Sequence, residues 1–288
     1  LGHSVTRVAP GVAAPAALIY RNLPQIRLTN GSLQNQLAAD LASGLPQSGV
    51  ILSDDPRRLW ITQNWLAQHG RSRDFIALCT LWLKQPEYQR YLKNRYPGWT
   101  SPIKDETTKT ISDVELVELI QKLAKDKSLC YLHPSFGYYF EFFSPEPNGL
   151  AVRLNPFPDG QLLAPPVSPD AIARNEKFWA DAREGILKTL LPITTPPEVV
   201  PRPSFAEKFF AAIRLKPEQN RQALGTGSLY ARSLVDWGVE LQRAGEYEKA
   251  ASHFALAHAL NPENVVAEIN LDFNRKFRAG QSGAVEIT

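Results

Sequence analysis

Apolar and polar positions follow two patterns along this chain. Short continuous apolar runs occur at 50–52 (VIL), 75–81 (FIALCTL) and 128–133 (SLCYLH). Such runs mark strands covered on both faces. Between them, apolar residues recur every three or four positions. Leu33, Leu37 and Leu41 predict a helix over 32–43, with Asn30 and Ser32 as N-caps and Gly44 at its end. Leu59, Ile61, Trp65 and Leu66 predict a second helix over 56–69, opened by Pro56 and stopped by Gly70. Pro86 opens a third, closed by Pro97 and Gly98. After a polar loop at 99–111, the capping box Ser112-x-x-Glu115 starts a fourth, carrying Val114, Val117, Ile120, Leu123 and Ala124. The order β-α-β-α-α-β predicts a small parallel sheet with helices on its faces.

The pattern changes at Phe136. FGYYFEFF and LAVRL predict two strands around the turn SPEPNG, adding an antiparallel hairpin to the sheet. A long helix is expected over 169–190 with Ser168 as its N-cap. Residues 192–203 hold five prolines and read as an extended linker and domain boundary. Residues 8–20 (VAPGVAAPAALIY) read as a linker arriving from elsewhere.

The strongest motif lies beyond that boundary. Residues 231–264 place Leu234, Trp237, Gly238 and Leu241 on one helix, break it at Gly245, and enter the next at Tyr247. Ala250, Phe254 and Ala257 recur on the second helix, which Pro262 ends. This resembles the 34-residue tetratricopeptide repeat, with Leu241 where that family usually has an aromatic. Gly238 and Ala250 are small enough for two antiparallel helices to approach, and Trp237, Tyr247 and Phe254 fill the surrounding space. Residues 265–277 begin like another repeat, and 205–215 read as a packing helix. One repeat cannot bury its faces alone, so the motif predicts either a surface for a peptide or protein partner or a helical scaffold serving its own chain.

Composition narrows the function classes. Hydrophobic residues make up 43% and charged residues 21% of 288 positions, with a formal charge of +3. No long Lys/Arg block is present, which disfavours nucleic acid as a partner. Cys79 and Cys130 lie on predicted strands outside any CxxC or zinc spacing. They read as small buried hydrophobes, with a disulfide between neighbouring strands as the alternative. No metal or other cofactor is called for. A chain that starts at Leu1 and lacks methionine reads as a piece of a longer protein, and no run is long and apolar enough to span a bilayer.

The candidate chemistry sits where strands end. Asp54 and Asp55 follow the first strand and precede Pro56, at the edge where open α/β sheets place ligands. The plainer role is helix capping, with Arg57 and Arg58 as ion-pair partners. His133 ends the third strand beside Pro134 and Ser135 and would share that edge, making Asp54, Asp55, His133 and Ser135 a candidate ligand-binding group. No G-x-S-x-G elbow, G-x-G-x-x-G loop or P-loop accompanies them, so no catalytic residue is assigned. The aromatic run Phe136, Tyr138, Tyr139, Phe140, Phe142 and Phe143 reads mainly as core, with sugar stacking as the sharper alternative. Asn30-Gly31-Ser32 fits the N-glycosylation pattern.

The stretches GVILSDDPRRLWITQNWLAQHGRSRDFIALCTLWLKQPEYQRYL, YLHPSFGYYFEFFSPEPNGL and SLYARSLVDWGVELQRAG carry a wider resemblance. From about residue 45 onward the chain resembles the soluble C-terminal part of large bacterial multi-spanning membrane proteins of unassigned function, distantly similar to protein O-mannosyltransferases. The resemblance implies an extracytoplasmic portion of an envelope protein, joined to the membrane through an absent N-terminal region. Any glycosyl transfer would then use acidic residues of that absent half. The expected layout is an arm or linker at 1–28, an α/β domain with a small parallel or mixed sheet at 29–165, a helix and Pro-rich linker at 166–203, and an all-α tetratricopeptide-like domain at 204–288. The expected role is noncatalytic protein interaction or assembly, the alternative a sugar or lipid-phosphate site at the sheet edge.

Overall fold

The computed structural model describes residues 10–29, 32–99, 110–132, 134, 138–161, 163–195 and 204–281. Strand β1 (Gly49–Ser53) is buried at all five positions and lies inside the sheet. It pairs in parallel with β2 (Phe75–Cys79) on one side and β3 (Leu129–Tyr131) on the other. β5 (Ala151–Asn155) pairs antiparallel with β3, and β4 (Ser144–Asn148) closes the order β2-β1-β3-β5-β4. The mixed sheet and flanking helices agree with the sequence pattern.

The hairpin differs from expectation. Tyr138–Glu141 form a 3-10 turn, and SPEPN is a strand rather than a turn. Pro145 and Pro147 are two residues apart, so both project their nitrogens to the same side of β4. With β4 at the edge, that side faces away from β5 and no ladder bond is lost. Asn148 pairs with Ala151 across Gly149, which has φ +65°, and Leu150. The opposite edge is covered differently. The hydroxyls of Tyr96 and Tyr88 accept from the β2 amides of Ala77 and Cys79, at 3.0 and 2.9 Å.

Alternation along the strands divides the core into two layers. Val50, Leu52, Leu78, Leu129, Tyr131 and Leu154 face α4 (Pro86–Arg95), α5 (Asp113–Asp126), Tyr139 and Phe143. Ile51, Ala77, Cys79 and Ala151 face the other layer. There lie α2 (Leu33–Ser43), α3 (Pro56–Gln68), α6 (Pro169–Glu184), α7 (Ile186–Thr194), α9 (Arg221–Arg243) and α10 (Tyr247–Leu260). Trp179, Leu187, Tyr230, Leu234 and Trp237 belong to the same apolar cluster as Ile51, so the helical layer and the sheet share one core. Tyr230 donates to Asp40 of α2 at 2.5 Å, tying α9 to the sheet-side helices.

Local signals account for most helix ends. Ser112 and Glu115 form the expected capping box, and Ser168 accepts from the amide of Ala171. The Ser32 carbonyl accepts from the Gln36 amide at 2.8 Å but its side chain makes no cap bond to α2, while Asn30 and Gly31 lie outside the described residues. The single helix expected over 169–190 is two, because Gly185 (φ −94°, ψ −110°) leaves helical geometry. The second half continues through Pro192 to Thr194, and the linker expected at 192–203 is described only to Thr195. The stretch read as an N-terminal linker is helical over α1 (Pro10–Thr29) despite Pro15 and Pro24. Tertiary contacts offset those breaks: Tyr20 stacks on Phe210 of α8 (Phe205–Ala212) at 4.0 Å, and Asn220 donates to the Pro24 carbonyl at 2.7 Å.

The repeat-like residues are packed tightly. Leu234, Leu241, Ala250, Phe254 and Ala257 are fully buried, as is Trp237 to within 1%. Residues 244–246 form the turn between α9 and α10, with Gly245 at φ +83°. α11 (Val265–Arg278) follows the Pro262 turn, and Tyr247 packs against Phe277 at 4.8 Å. A Cβ at Gly238 would lie 2.5 Å from Phe254 Cε1. Gly238→Val should therefore lower unfolding free energy by about 2–3 kcal/mol in urea titration. An unchanged midpoint and slope would refute the close-approach account.

Candidate functional site

The chain leaves β1 toward β2 on one side, then crosses to β3 on the other. Connections therefore diverge between β1 and β3, and a crevice opens at the carboxyl ends of those strands. Asp54 occupies that position directly after β1. Thr80, directly after β2, and Tyr131, the last residue of β3, both donate their hydroxyls to Asp54 Oδ1. One carboxylate thus joins three strand ends. Tyr131 is 3% exposed. Burial first, then the adjoining Asp54 carboxylate, holds its phenol above the usual range and keeps it a donor.

Asp55 does a different job. Its side chain accepts from the Arg57 amide at 2.9 Å and caps α3, with Pro56 in the first helical position. Its second oxygen lies 3.3 Å from Arg58 Nε. Burial, opposed by Asp55 and helped by nearby Arg232 of α9, lowers the Arg58 guanidinium to about 10. Arg232 donates to the Pro134 carbonyl, so α9 reaches the loop that follows β3.

Two of the four expected site residues are described, and they do different jobs. Asp54 is at the crevice, Asp55 is chiefly a cap, and His133 and Ser135 lie outside the described residues. Thr80 and Tyr131 escaped sequence reading as site residues, although each lies at a strand end within a run already recognised. The described aromatics of the 136–143 run pack as expected. Tyr139 and Phe143 are core, packed near Tyr131, whereas an exposed shelf forms elsewhere. Trp60 of α3 and Trp82, two residues past Thr80, have ring centroids 6.5 Å apart and are 57% and 38% exposed. Tyr88 continues the row at 5.7 Å from Trp82, and Tyr91 stacks on Tyr88.

The chemistry open to this edge is binding by oriented oxygen and aromatic surface. Among the described residues no group of three His, Cys, Asp or Glu side chains is placed to hold a metal. Cys79 is buried beside the edge, and burial raises its thiol, which keeps it out of the thiolate form. Both cysteines are free. β2 and β3 each pair with β1 rather than with one another, so the disulfide alternative has no neighbouring-strand register. A second polar cluster ties the helical layer together: Glu176 Oε1 accepts from Trp237 Nε1 at 2.8 Å and meets His253 Nε2 at 2.7 Å. Burial pushes the Glu176 carboxyl up, but bonds from His253 and Trp237 bring it below the usual range.

Comparison with family models, curated proteins and solved structures returned no match.

Tyr131 gives the edge a pH signature. An unfolded tyrosine ionises near 10, and the folded value is higher. Stability from the neutral phenol is fully present below pH 10 and is lost as pH rises toward the folded value. Tyr131→Phe should flatten the alkaline fall in denaturation midpoint relative to the parent chain. Identical slopes above pH 10 would show that Tyr131 is not held neutral by its site.

Proposed function

We propose that this chain is a noncatalytic binding domain of a bacterial envelope protein that engages a protein partner through its carboxyl-terminal helices. The observation that carries this reading is the open side of α11. α9 is covered by α7 and α10, and α10 by α9 and α11. α11 packs inward on α10 and α9, yet Val265, Val266, Ile269 and Phe277 are 61%, 56%, 42% and 46% exposed. In stacked helical repeats such a row is covered by the next helix. The proposed occupant is accordingly an apolar helix of a partner. The envelope assignment rests on the resemblance to the soluble part of the bacterial membrane proteins, and the tetratricopeptide assignment on the spacing of Trp237, Gly238, Tyr247, Ala250 and Phe254. A photo-crosslinking residue at Ile269 should give a discrete adduct in envelope extracts, lost in Val266→Asp/Ile269→Asp. An adduct that survives those changes, or none at all, would overturn the proposal.

A second reading is favoured by the combination of Asp54 with the exposed Trp60–Trp82 shelf. A carboxylate repels phosphate but accepts from sugar hydroxyls, and aromatic faces stack on the apolar faces of sugar rings. Of the two ligands expected at this edge, the geometry therefore supports the sugar. Neutral oligosaccharides should shift tryptophan fluorescence, and Asp54→Asn and Trp82→Ala should each abolish the shift while circular dichroism shows both variants folded, the Asn oxygen still accepting from Thr80 and Tyr131. A response that persists in both variants would sink this reading.

A further inference from the structure

The most exposed large apolar residues are not confined to α11. Phe205 of α8 is 86% exposed, Phe209 51%, and Ile213 at its end 56%. On α1, Leu18 is 60% and Ile19 57% exposed. α1 meets α8 at one ring pair and meets the segment after α8 at Glu218. Tyr20 stacks on Phe210, the Glu218 amide donates to the Arg21 carbonyl at 2.8 Å, and Arg21 Nε bonds the Glu218 carboxylate at 2.7 Å. Beneath them, Tyr20, Leu23, Pro24, Ile193 and Leu224 line a groove of about 760 Å³.

Charge on this surface is one-sided. α1 has no acidic residue. Residues 10–29 and 204–220 together carry Arg21, Arg27, Lys208, Arg214 and Lys216 against Glu207 and Glu218. Five cations against two carboxylates leave a surplus of three, which equals the formal net charge of the whole chain. Elsewhere the charges balance. Glu218 is paired with Arg21, and Glu207 closes the capping box with Ser204 at the start of α8. Among the described residues, Arg27, Lys208, Arg214 and Lys216 have no ion-pair partner.

We infer that the α1/α8 surface docks on an anionic lipid bilayer, with Leu18, Ile19, Phe205, Phe209 and Ile213 in the acyl–headgroup boundary and the cations among the headgroups. α8 presents Phe205 and Phe209 beside Lys208, and α1 presents Leu18 and Ile19 beside Arg21, so the surface offers the apolar residues and flanking cations that seat a segment at a bilayer interface. Juxtamembrane cations add attraction to anionic headgroups that salt weakens. The surplus of cations over acids on this surface selects an anionic occupant. This inference is independent of the α11 face and of the sheet edge.

Flotation of the whole chain with phosphatidylcholine vesicles, with and without phosphatidylglycerol, tests it. Binding is expected to the anionic vesicles, weakened by salt, and roughly tenfold or more weaker to the neutral ones. Phe205→Ser/Phe209→Ser should reduce vesicle binding by about tenfold or more. Lys208→Glu/Lys216→Glu should remove the preference for anionic lipid. Both pairs of positions are exposed, so thermal midpoints should match the parent and separate lost docking from lost folding. No flotation with anionic vesicles, or unchanged flotation of the Phe variant, would overturn the inference. So would a lipid-free dimer in sedimentation that Phe205→Ser/Phe209→Ser dissociates, since a second copy would then be the occupant.

Discussion

Complete burial of β1 is the constraint on which the architecture depends. A strand with five buried residues needs apolar cover on both faces, and the side-chain period of two assigns Val50 and Leu52 to one layer and Ile51 to the other. Helices α4 and α5 supply the first layer. The second requires more than α2 and α3, and the remaining area is covered by helices from the far end of the chain. Trp179, Tyr230 and Trp237 thus belong to the same apolar cluster as Ile51. Burial of β1 and packing of the repeat-like helices are therefore parts of one cooperative core.

That shared core changes the meaning of the repeat motif. Trp237 does not only fill space between α9 and α10. Its indole bonds Glu176, which also meets buried His253. The inner surface of the hairpin is occupied by α6 and α7, which leaves the outer side of α11 as its exposed apolar face. Likewise, Asp54 is both a structural tie between three strand ends and, of the expected site residues that are described, the one placed in the crevice. A residue gripped by two hydroxyls is held in a fixed orientation, which suits recognition of a ligand.

The parts of the fold legible in sequence were those set by local chemistry. The apolar runs of β1, β2 and β3, the capping box at Ser112, the cap at Ser168 and the Asp55–Pro56 helix start need only neighbouring residues. Tertiary context decided the rest. Pro145 and Pro147 read as turn punctuation until β4 is known to be an edge strand. Pro15 and Pro24 read as linker until Tyr20 and Asn220 hold α1 in place. At the candidate site, strand order placed Asp54 beside the end of β3, but which residue would meet it depended on register. Tyr131 does so, and no local pattern distinguishes it from other buried tyrosines.

The two edges of the sheet carry a further consequence. Along β4, two prolines present no amide to the outside, and along β2 the outward amides of Ala77 and Cys79 already bond the hydroxyls of Tyr96 and Tyr88. Neither margin offers the row of unpaired donors that another backbone needs in order to pair. The sheet is thus guarded against templated aggregation and strand exchange, even though its centre is a run of the kind that assembles readily when uncovered.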